Sequence, residues 1–385
     1  MDPKAERALR RAEPVVLERM TASFALVLDP SAADPCRVVA GLPLALRLAL
    51  DAQQGGAACV VVPNDANAVR AALGDPRLRI PIVATPPSDL RAVRVPANFV
   101  VHRGLFKSIA QRDASDPNPP LERDLAKDEI AYDAPYSFSP LGVVDEASAG
   151  EAEQRLFRAL RKPQDGWTSR YLNRYISLAI SRVLVKTPLR PNQVSVAILG
   201  VGILGAWFAA RGGYGNVLLG AFLFQAQSVL DGCDGEMSRV SHRGSHTGEW
   251  LDTVGDDLTN YGFFTGAALG LYRVTNNPLY LAAGAVTVIS GLIGSGLEYR
   301  YLIKIGSGDL LKYPLSQGDG TGKFAFIQPL FKRDTFVFMT LCAAALSCVG
   351  PMLCVFAAGA VGVLIAVLRT EVRMAREARE SEHRR

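Results

Sequence analysis

The chain has 385 residues, of which 49% are hydrophobic, and this high apolar content indicates a partly membrane-embedded protein. Its formal net charge of +5 is modest, so nucleic acid is not an expected partner. Six cysteines without paired spacing and four histidines without an HExxH motif argue against a disulfide framework, a zinc framework or a histidine metal site. The N-terminus MDPKAERALRRAEP lacks the apolar core of a signal peptide, so we expect the first segment in the cytoplasm.

Residues 1–140 have the composition of a soluble α/β domain. The short apolar stretches FALVLD, ACVVVP, IPIVATP and NFVVH predict buried strands, and LPLALRLALDAQQ has the apolar spacing of a helix. Strands that alternate with helices predict a small parallel sheet. A stretch rich in Asp, Pro and Ser ends this domain, and we assign residues 141–165 to a linker.

The second half of the chain predicts a helical membrane domain. Residues 166–190 have apolar residues at helical spacing, with Arg174 and Arg182 on the other side, which suits an amphipathic helix on a membrane surface. Residues 191–373 contain six apolar runs that fit membrane-spanning helices of about 20 residues. The runs cover residues 194–210, 217–238, 248–271, 279–302, 335–349 and 352–368, and a charged tail follows at 374–385.

The basic residues between these runs predict the topology. The turns after the first, third and fifth runs carry one, one and no basic residues, whereas the other loops and both flanks collect Lys and Arg. Basic residues concentrate on the cytoplasmic side of a membrane, so this alternation predicts six spans in the cytoplasmic membrane with both termini in the cytoplasm. A soluble helical core is the alternative, and it leaves the alternation of charge unexplained.

Four aspartates interrupt the second and third runs. Asp231 and Asp234 lie at the end of the second run, and Asp252 and Asp256 lie near the start of the third. Spacings of three and four place each pair on one face of its helix, and a short loop allows the two faces to meet. Carboxylates that converge near a membrane repel one another unless a cation neutralises them. Because oxygen ligands favour hard ions, the sequence predicts a cytoplasmic site for one or two Mg²⁺ or Mn²⁺ ions.

Neighbouring residues suit a phosphate group. Gly235 and Gly248 lack side chains and let a ligand approach the backbone, and Arg239 has a planar fork of donors for phosphate. An EF-hand alignment of DGCDGEMSRVSH fails, because its third and twelfth positions are Cys233 and His242. A purely structural acidic cluster remains an alternative, although acids are disfavoured at the C-terminal end of a helix.

The motif resembles the signature of the CDP-alcohol phosphotransferase family. The family pattern DxxDGxxAR, eight residues, GxxxDxxxD is matched from Asp231 to Asp256 except at Ser238, where the family usually has Ala. TPLRPNQVS before the first run resembles the family's Pro-Asn-containing entry, and the resemblance covers residues 162–373. It implies a polytopic membrane enzyme that moves a phosphoalcohol group, phosphatidyl or similar, from a CDP-alcohol to an acceptor hydroxyl and releases CMP.

The resemblance also implies a role for each motif residue. Asp256 would be the general base that takes the proton of the acceptor hydroxyl, and it would share a two-metal centre with Asp231, Asp234 and Asp252. The residues facing the CDP group would be Gly235, Ser238, Arg239 and Gly248. The family further implies a homodimer, and the Gly-rich segments GVGILG and GLIGSG permit close helix packing.

The sequence is most similar to the family branch fused to an inositol-phosphate cytidylyltransferase, which makes di-inositol phosphate or related lipids. In that branch the N-terminal domain resembles sugar nucleotidyltransferases. Here DPSAADP stands where a Gly-rich loop with Arg would cradle the nucleotide phosphates. We therefore expect a degenerate nucleotidyltransferase-like domain without catalytic activity, and an unrelated small α/β domain is the alternative.

The sequence does not identify the acceptor. Arg174, Arg182 and Arg333 are candidates for binding an acceptor or an anionic headgroup, or they hold the amphipathic helix on the membrane. Asp257 stands where many members with phosphorylated acceptors carry Arg, and its charge disfavours such an acceptor unless it faces solvent or pairs with Arg243. The donor would be CDP-diacylglycerol or CDP-inositol, and the competing function is a non-catalytic membrane scaffold or nucleotide sensor.

Overall fold

The computed structural model describes residues 24–31, 33–116, 120–127, 136–161, 165–315 and 332–383. The chain divides into two compact units, one comprising Met1–Lys162 with Val240–His242 and the other Pro163–Arg239 with Arg243–Arg385. The described part of the first unit contains strands and helices, and that of the second contains helices without a strand.

A five-stranded parallel sheet forms the centre of the first unit. The strands in chain order are β1 (Phe24–Asp29), β2 (Val38–Val39), β3 (Leu42–Pro43), β4 (Ala57–Val61), β5 (Ile82–Val83), β6 (Arg91–Pro96), β7 (Phe99–Val100), β8 (Glu122–Asp124) and β9 (Leu141–Gly142). The central sheet has the order β5-β4-β1-β6-β8, and every pairing in it is parallel. This is the small parallel sheet that the sequence predicts, although NFVVH supplies β7 of a separate two-stranded sheet.

In the described part of the first unit, four helices accompany the sheet. They are α1 (Leu44–Gln54), α2 (Asn67–Ala72), α3 (Leu105–Ser115) and α4 (Glu146–Arg158). The predicted helix LPLALRLALDAQQ is α1, whose Leu48 is fully buried. On β1 and α3, the rings of Phe24 and Phe106 stack with their centroids 5.9 Å apart. These aromatic and aliphatic side chains form one core between the sheet and the helices.

The segment predicted as a linker belongs structurally to the first unit. β9 pairs with β7 in antiparallel register. α4 begins at a capping box, in which a carboxylate oxygen of Asp145 accepts the backbone N–H of Ser148 at 2.8 Å. This reciprocal cap satisfies backbone donors at the start of the helix and explains why α4 begins there. The first unit therefore extends past residue 140, to Lys162.

The second unit is a set of helices that match the predicted apolar runs. A π-helical turn at Ser169–Asn173 leads into α5, and the helices are α5 (Arg174–Leu184), α6 (Pro191–Arg211), α7 (Tyr214–Val240), α8 (His246–Thr275), α9 (Pro278–Ile305), α10 (Arg333–Ala345) and α11 (Val349–His383). Each run coincides with one of α6 to α11, and only the fifth run continues beyond its helix. The described part of the predicted tail continues α11 as helix to His383.

Three of these helices, α6, α9 and α11, are long and apolar enough to cross a membrane, which indicates an integral membrane protein. α7 and α8 carry the four motif aspartates and do not reach the same apolarity. α10 has 13 residues, about 20 Å at the helical rise, against a hydrocarbon core of about 30 Å. Six membrane spans therefore remain a prediction.

Glycines bring α6 close to the two helices that carry the acids. A Cβ atom added to Gly220 on α7 would lie 2.7 Å from the carbonyl oxygen of Gly205 and 2.8 Å from the amide nitrogen of Ala209, both on α6. Beside this contact, the rings of Phe224 on α7 and Phe263 on α8 stack at a centroid distance of 4.4 Å. The helices that present the acidic motif are thus held by backbone-to-backbone packing, which fixes their spacing.

Candidate active site

The four motif aspartates lie at one end of the α7–α8 pair. Asp231 and Asp234 fall within about the last three turns of α7, and Asp252 and Asp256 fall within about the first three turns of α8. The loop between the helices is short, and Ser245 ends it as the N-cap of α8, its hydroxyl accepting the N–H of Gly248 at 3.0 Å. The sequence and this cap together bring both acidic pairs to the same end of the unit.

The aspartates differ in their exposure. Asp234 is 7% exposed and accepts a hydrogen bond from the hydroxyl of Ser195 on α6. The side chains of Asp231 and Asp256 are 26% and 25% exposed, and Asp252 is exposed. The site therefore contains one buried carboxylate, Asp234, which a neighbouring helix fixes, and three carboxylates that solutes can reach.

Arg333, the first residue of α10, joins the two acidic helices. One nitrogen of its guanidinium lies 2.8 Å from a carboxylate oxygen of Asp256 and 3.2 Å from one of Asp231. The other guanidinium nitrogens donate to Gln227 Oε1 at 2.6 Å and to Asn260 Oδ1 at 3.2 Å. The sequence names Arg333 as an acceptor or headgroup candidate, and the structure places it against the acids instead of beside Arg174.

The aspartates have the right chemistry for a hard divalent cation but not the placement. Across the described part of the chain, no three His, Cys, Asp or Glu side chains come together closely enough to hold one ion. Between Asp231 and Asp256, the space is taken by the Arg333 guanidinium. In this arrangement the residues do not fit a bound metal, and the predicted Mg²⁺ or Mn²⁺ centre stays a prediction.

The residues predicted to face the CDP group cluster around the same loop. A Cβ atom on Gly248 would lie 3.1 Å from Asn192 Oδ1, so the glycine allows the Pro-Asn start of α6 to approach α8. A Cβ atom on Gly235 would lie 3.1 Å from a guanidinium nitrogen of Arg239. Ser238 sits one residue before Arg239 and is partly buried. The structure thus brings these positions to the acidic end, and their contact with CDP stays a prediction.

A buried acid inside the motif, Glu236, was not predicted from the sequence. Its side chain is fully buried and accepts hydrogen bonds from Arg174 at 2.7 Å, Ser177 at 2.8 Å and Ser181 at 2.7 Å. Arg174 also binds Asp165 through two nitrogens, at 2.9 and 3.0 Å. The spacing of 174, 177 and 181 on one helical face was the available signal, because it places three polar groups in a single line.

The polar side of α5 is consequently the buried side. Arg174 is 8% exposed, whereas Tyr171, Tyr175 and Val183 are 72%, 58% and 66% exposed. Arg182 is partly buried on the same helix. The predicted amphipathic helix is present, but its polar stripe packs on α7 and its aromatic stripe faces outward. Amphipathic aromatic rings of this kind are typical of the membrane–water interface.

Asp257 has a partner on another helix. Its carboxylate accepts the hydroxyl of Tyr299 on α9 at 2.6 Å. From the sequence, Asp257 had three interpretations. It could repel phosphorylated acceptors, face solvent or pair with Arg243. The observed contact adds a helix-to-helix hydrogen bond that a single sequence does not reveal, because the partner is 42 residues away.

In the first unit, the start of α1 leaves little room for a phosphate. The backbone N–H groups of Leu44 and Ala45 donate to the carbonyl oxygens of Arg37 and Pro35, each at 3.0 Å. Free N–H groups at a helix N-terminus are what bind phosphate. A cavity of about 520 Å³ does lie at the carboxyl edge of the sheet, beside Asp29. That carboxylate accepts both the N–H and the hydroxyl of Ser31.

Comparison with known proteins shows the family that the helical unit resembles. Residues 189–367 match the family described as CDP-alcohol phosphatidyltransferase. The matched segment contains α6 to α10, most of α11 and all four motif aspartates. This match confirms, for the helical unit, the predicted resemblance to the family. The reaction class of that family is transfer of a phosphoalcohol group from a CDP-alcohol.

Individual relatives are named bifunctional IPC transferase and DIPP synthase. The protein of Aquifex aeolicus is 38% identical over 113 residues, which are 29% of this chain and 25% of the relative. That of Thermococcus kodakarensis is 31% identical over 143 residues, 37% of this chain and 31% of the relative. That of Rubrobacter xylanophilus is 36% identical over 142 residues, with the same coverage of 37% and 31%. The chain thus spans less than a third of the length of each of these relatives.

Proposed function

We propose that the chain is a membrane transferase that moves a phosphoalcohol group from a CDP-alcohol to an acceptor hydroxyl and releases CMP. The observation that carries the proposal is that all four motif aspartates lie at the same end of the α7–α8 pair, inside the segment that matches the family. Ionisable side chains beside apolar helices are costly, and a complete set is best explained by chemistry.

In the proposed reaction, the Asp256 carboxylate takes the proton of the acceptor hydroxyl. The hydroxyl oxygen forms a bond to the phosphorus that bears the alcohol, and the bond from that phosphorus to the CMP oxygen breaks. Asp256 is suited to this role because its side chain is a quarter exposed and is held in place by Arg333. The residues proposed to hold the CDP group at the same helix ends are Gly235, Ser238, Arg239 and Gly248.

Magnesium or manganese is the proposed cofactor of the carboxylates Asp231, Asp234, Asp252 and Asp256. Carboxylate oxygens prefer such ions, and one or two of them would balance the charge of the diphosphate. No step of the reaction above is assigned to the metal, because the aspartates as placed do not form a site for it.

CDP-diacylglycerol and CDP-inositol are the proposed donors, and the inositol-phosphodiester branch follows from the sequence resemblance. Six spans, cytoplasmic termini, a cytoplasmic active site and a homodimer complete the proposal. The outward aromatic stripe of α5, with Tyr171 and Tyr175, supports a position at the membrane surface. Arg182 stays a candidate for a headgroup or an anionic acceptor, and both ends of the Arg174 guanidinium already bind carboxylates.

For the first unit we propose a non-catalytic role. Support comes from the capped start of α1, where carbonyl oxygens of the chain hold the N–H groups of Leu44 and Ala45. The competing proposal for the whole chain is a scaffold or nucleotide sensor. It differs in predicting that no CDP-alcohol yields CMP, whatever the acceptor.

The test is CMP release by the purified full chain in detergent with Mg²⁺ or Mn²⁺. CDP-diacylglycerol and CDP-inositol are each offered with inositol, inositol phosphate, glycerol phosphate and no acceptor. Asp256→Asn should lower the rate by about 10²–10⁴-fold, the range for a general base. The matched control is Glu249→Gln, an acid in the first turn of the same helix. Normal turnover by Asp256→Asn would refute the assignment of Asp256 as the general base. If the wild type released no CMP with any combination of donor and acceptor, the scaffold function would be favoured.

A further inference from the structure

The chain that joins the two motif helices is part of the first unit. The loop segment Val240–His242 belongs to that unit, whereas Val240 is also the last residue of α7. α8 begins four residues after the segment, at His246. Because the backbone is continuous, a displacement of the loop segment is passed on to the adjoining ends of both helices, which carry the acidic motif.

One face of α1 binds the loop segment. Arg47 and Asp51 are each 2% exposed, and with Gln54 they follow the i, i+4, i+7 spacing of a single helix face. The Arg47 guanidinium donates to the carbonyl oxygen of Val240 at 2.8 Å. His242 Nε2 lies 3.3 Å from Asp51 Oδ1, and His242 Nδ1 lies 3.2 Å from Gln54 Nε2. The polar stripe of this otherwise apolar helix therefore binds both ends of the loop segment.

A second arginine, Arg77, holds the middle of the loop segment. Its guanidinium donates to the carbonyl oxygen of Ser241 at 2.6 Å. Two other nitrogens of the same guanidinium bind the two carboxylate oxygens of Asp75, each at 2.7 Å. His242 has a left-handed backbone with φ 51°, which a residue other than glycine keeps only where its surroundings hold it. Each residue of the loop segment thus has a partner within the first unit.

We propose that the first unit positions the active site by holding the loop segment. The inference rests on the proposed function, in which the acidic ends of α7 and α8 carry out the transfer. Misplacement of reacting groups by about 1 Å lowers a rate by about 10²-fold. Arg47, Asp51 and Arg77 are accordingly positioning residues, which act through the backbone of the loop segment. This gives the first unit a role that requires no nucleotide chemistry of its own.

The test is amide hydrogen–deuterium exchange of the full chain in detergent, without nucleotide, on the variant Arg77→Gln. Arg77 is chosen over the fully buried Arg47 because its side chain is 22% exposed, which makes its loss less disruptive to folding. The reporters are the hydrogen-bonded amides of Arg243, Gly248 and Glu249. Their exchange should accelerate roughly 10- to 100-fold, the equilibrium equivalent of one hydrogen bond from a charged donor.

Two further variants and an internal reference separate positioning from a general loss of stability. Arg70→Gln is the matched control, because Arg70 also donates to a backbone carbonyl of the first unit, that of Val62 at 2.8 Å. It should leave the reporters unchanged. Arg77→Lys keeps a charged donor for Ser241 and should restore part of the protection. The reference is the amide of Asn276 at the other end of α8, which should exchange as in the wild type. Unchanged reporters in Arg77→Gln, or an equal acceleration in Arg70→Gln, overturn the proposal.

CMP release by the same variants links the loop segment to turnover. Arg77→Gln should lower kcat/KM by about 10- to 100-fold, Arg77→Lys should recover part of the loss, and Arg70→Gln should match the wild type. Wild-type kcat/KM in Arg77→Gln, despite faster exchange, overturns the positioning role. If the wild type releases no CMP with any donor and acceptor, the proposed function fails. Faster exchange in Arg77→Gln alone then still supports the hold of the first unit on the loop segment.

Discussion

Removal of Arg174 should strongly destabilise the helical unit, because it leaves Glu236 charged and buried. The Glu236 carboxylate is fully buried, and the cation that it binds is Arg174, at 2.7 Å. Deleting one member of a buried ion pair costs about 3–5 kcal/mol. At about 2–4 °C per kcal/mol for a unit of this size, Arg174→Met should lower Tm by about 6–20 °C.

The assay is thermal unfolding of the full chain in one detergent, with two comparison variants. Arg373→Met removes an exposed pair with Glu377, whose nitrogen-to-oxygen distance is 3.8 Å, and should cost at most about 0.5 kcal/mol. The double variant Arg174→Met, Glu236→Met replaces both charges and should recover much of the loss, since it leaves no isolated charge from this pair. Equal shifts for Arg174→Met and Arg373→Met would refute the reasoning.

Two further predictions concern packing and pH. Gly220→Ala should destabilise the helical unit by about 1–3 kcal/mol, because the new Cβ would lie 2.7 Å from the backbone of α6. The control is Gly200→Ala, which has open space around its Cβ. In the same unfolding assay, this control should be neutral or should stabilise the unit by about 0.5–1 kcal/mol. In the first unit, burial, aided by Arg103, lowers the pKa of His102, and its ring nitrogen accepts the N–H of Gly104 at 3.1 Å. Protonation then favours the unfolded state, so stability should fall as pH drops below about 6.5, and His102→Gln should show less of this loss across pH 7.5 to 5.5.

The helices and the acidic motif could be read from the sequence because both depend on local periodicity. Local periodicity does not depend on tertiary contacts. It comprises the runs of apolar residues and the i, i+3 and i, i+4 spacing of Asp231, Asp234, Asp252 and Asp256. The family resemblance rests on the same spacing and is confirmed. Membrane crossing by α7, α8 and α10 is not settled by that periodicity, since motif acids or short length reduce their apolar character.

Contacts between distant segments were beyond a single sequence. Arg174 was interpreted as part of a basic surface, yet it meets an acid 62 residues away. Arg333 was assigned to the same surface, yet it contacts Asp256, which is 77 residues away in the sequence. In both cases the residue type predicted a charge–charge interaction but not its partner, because pairing depends on which helix faces are brought together.

The neighbouring residues Asp256 and Asp257 on α8 contact two different helices. Successive residues on a helix point about 100° apart, so the first carboxylate meets Arg333 and the second meets Tyr299 on α9. Because the two carboxylates contact different helices, we expect a change at 299 to accommodate a substitution at 257 without moving the carboxylate at 256. A library randomised at 257 and 299 together should therefore vary the contact between α8 and α9 and leave the Asp256–Arg333 pair in place.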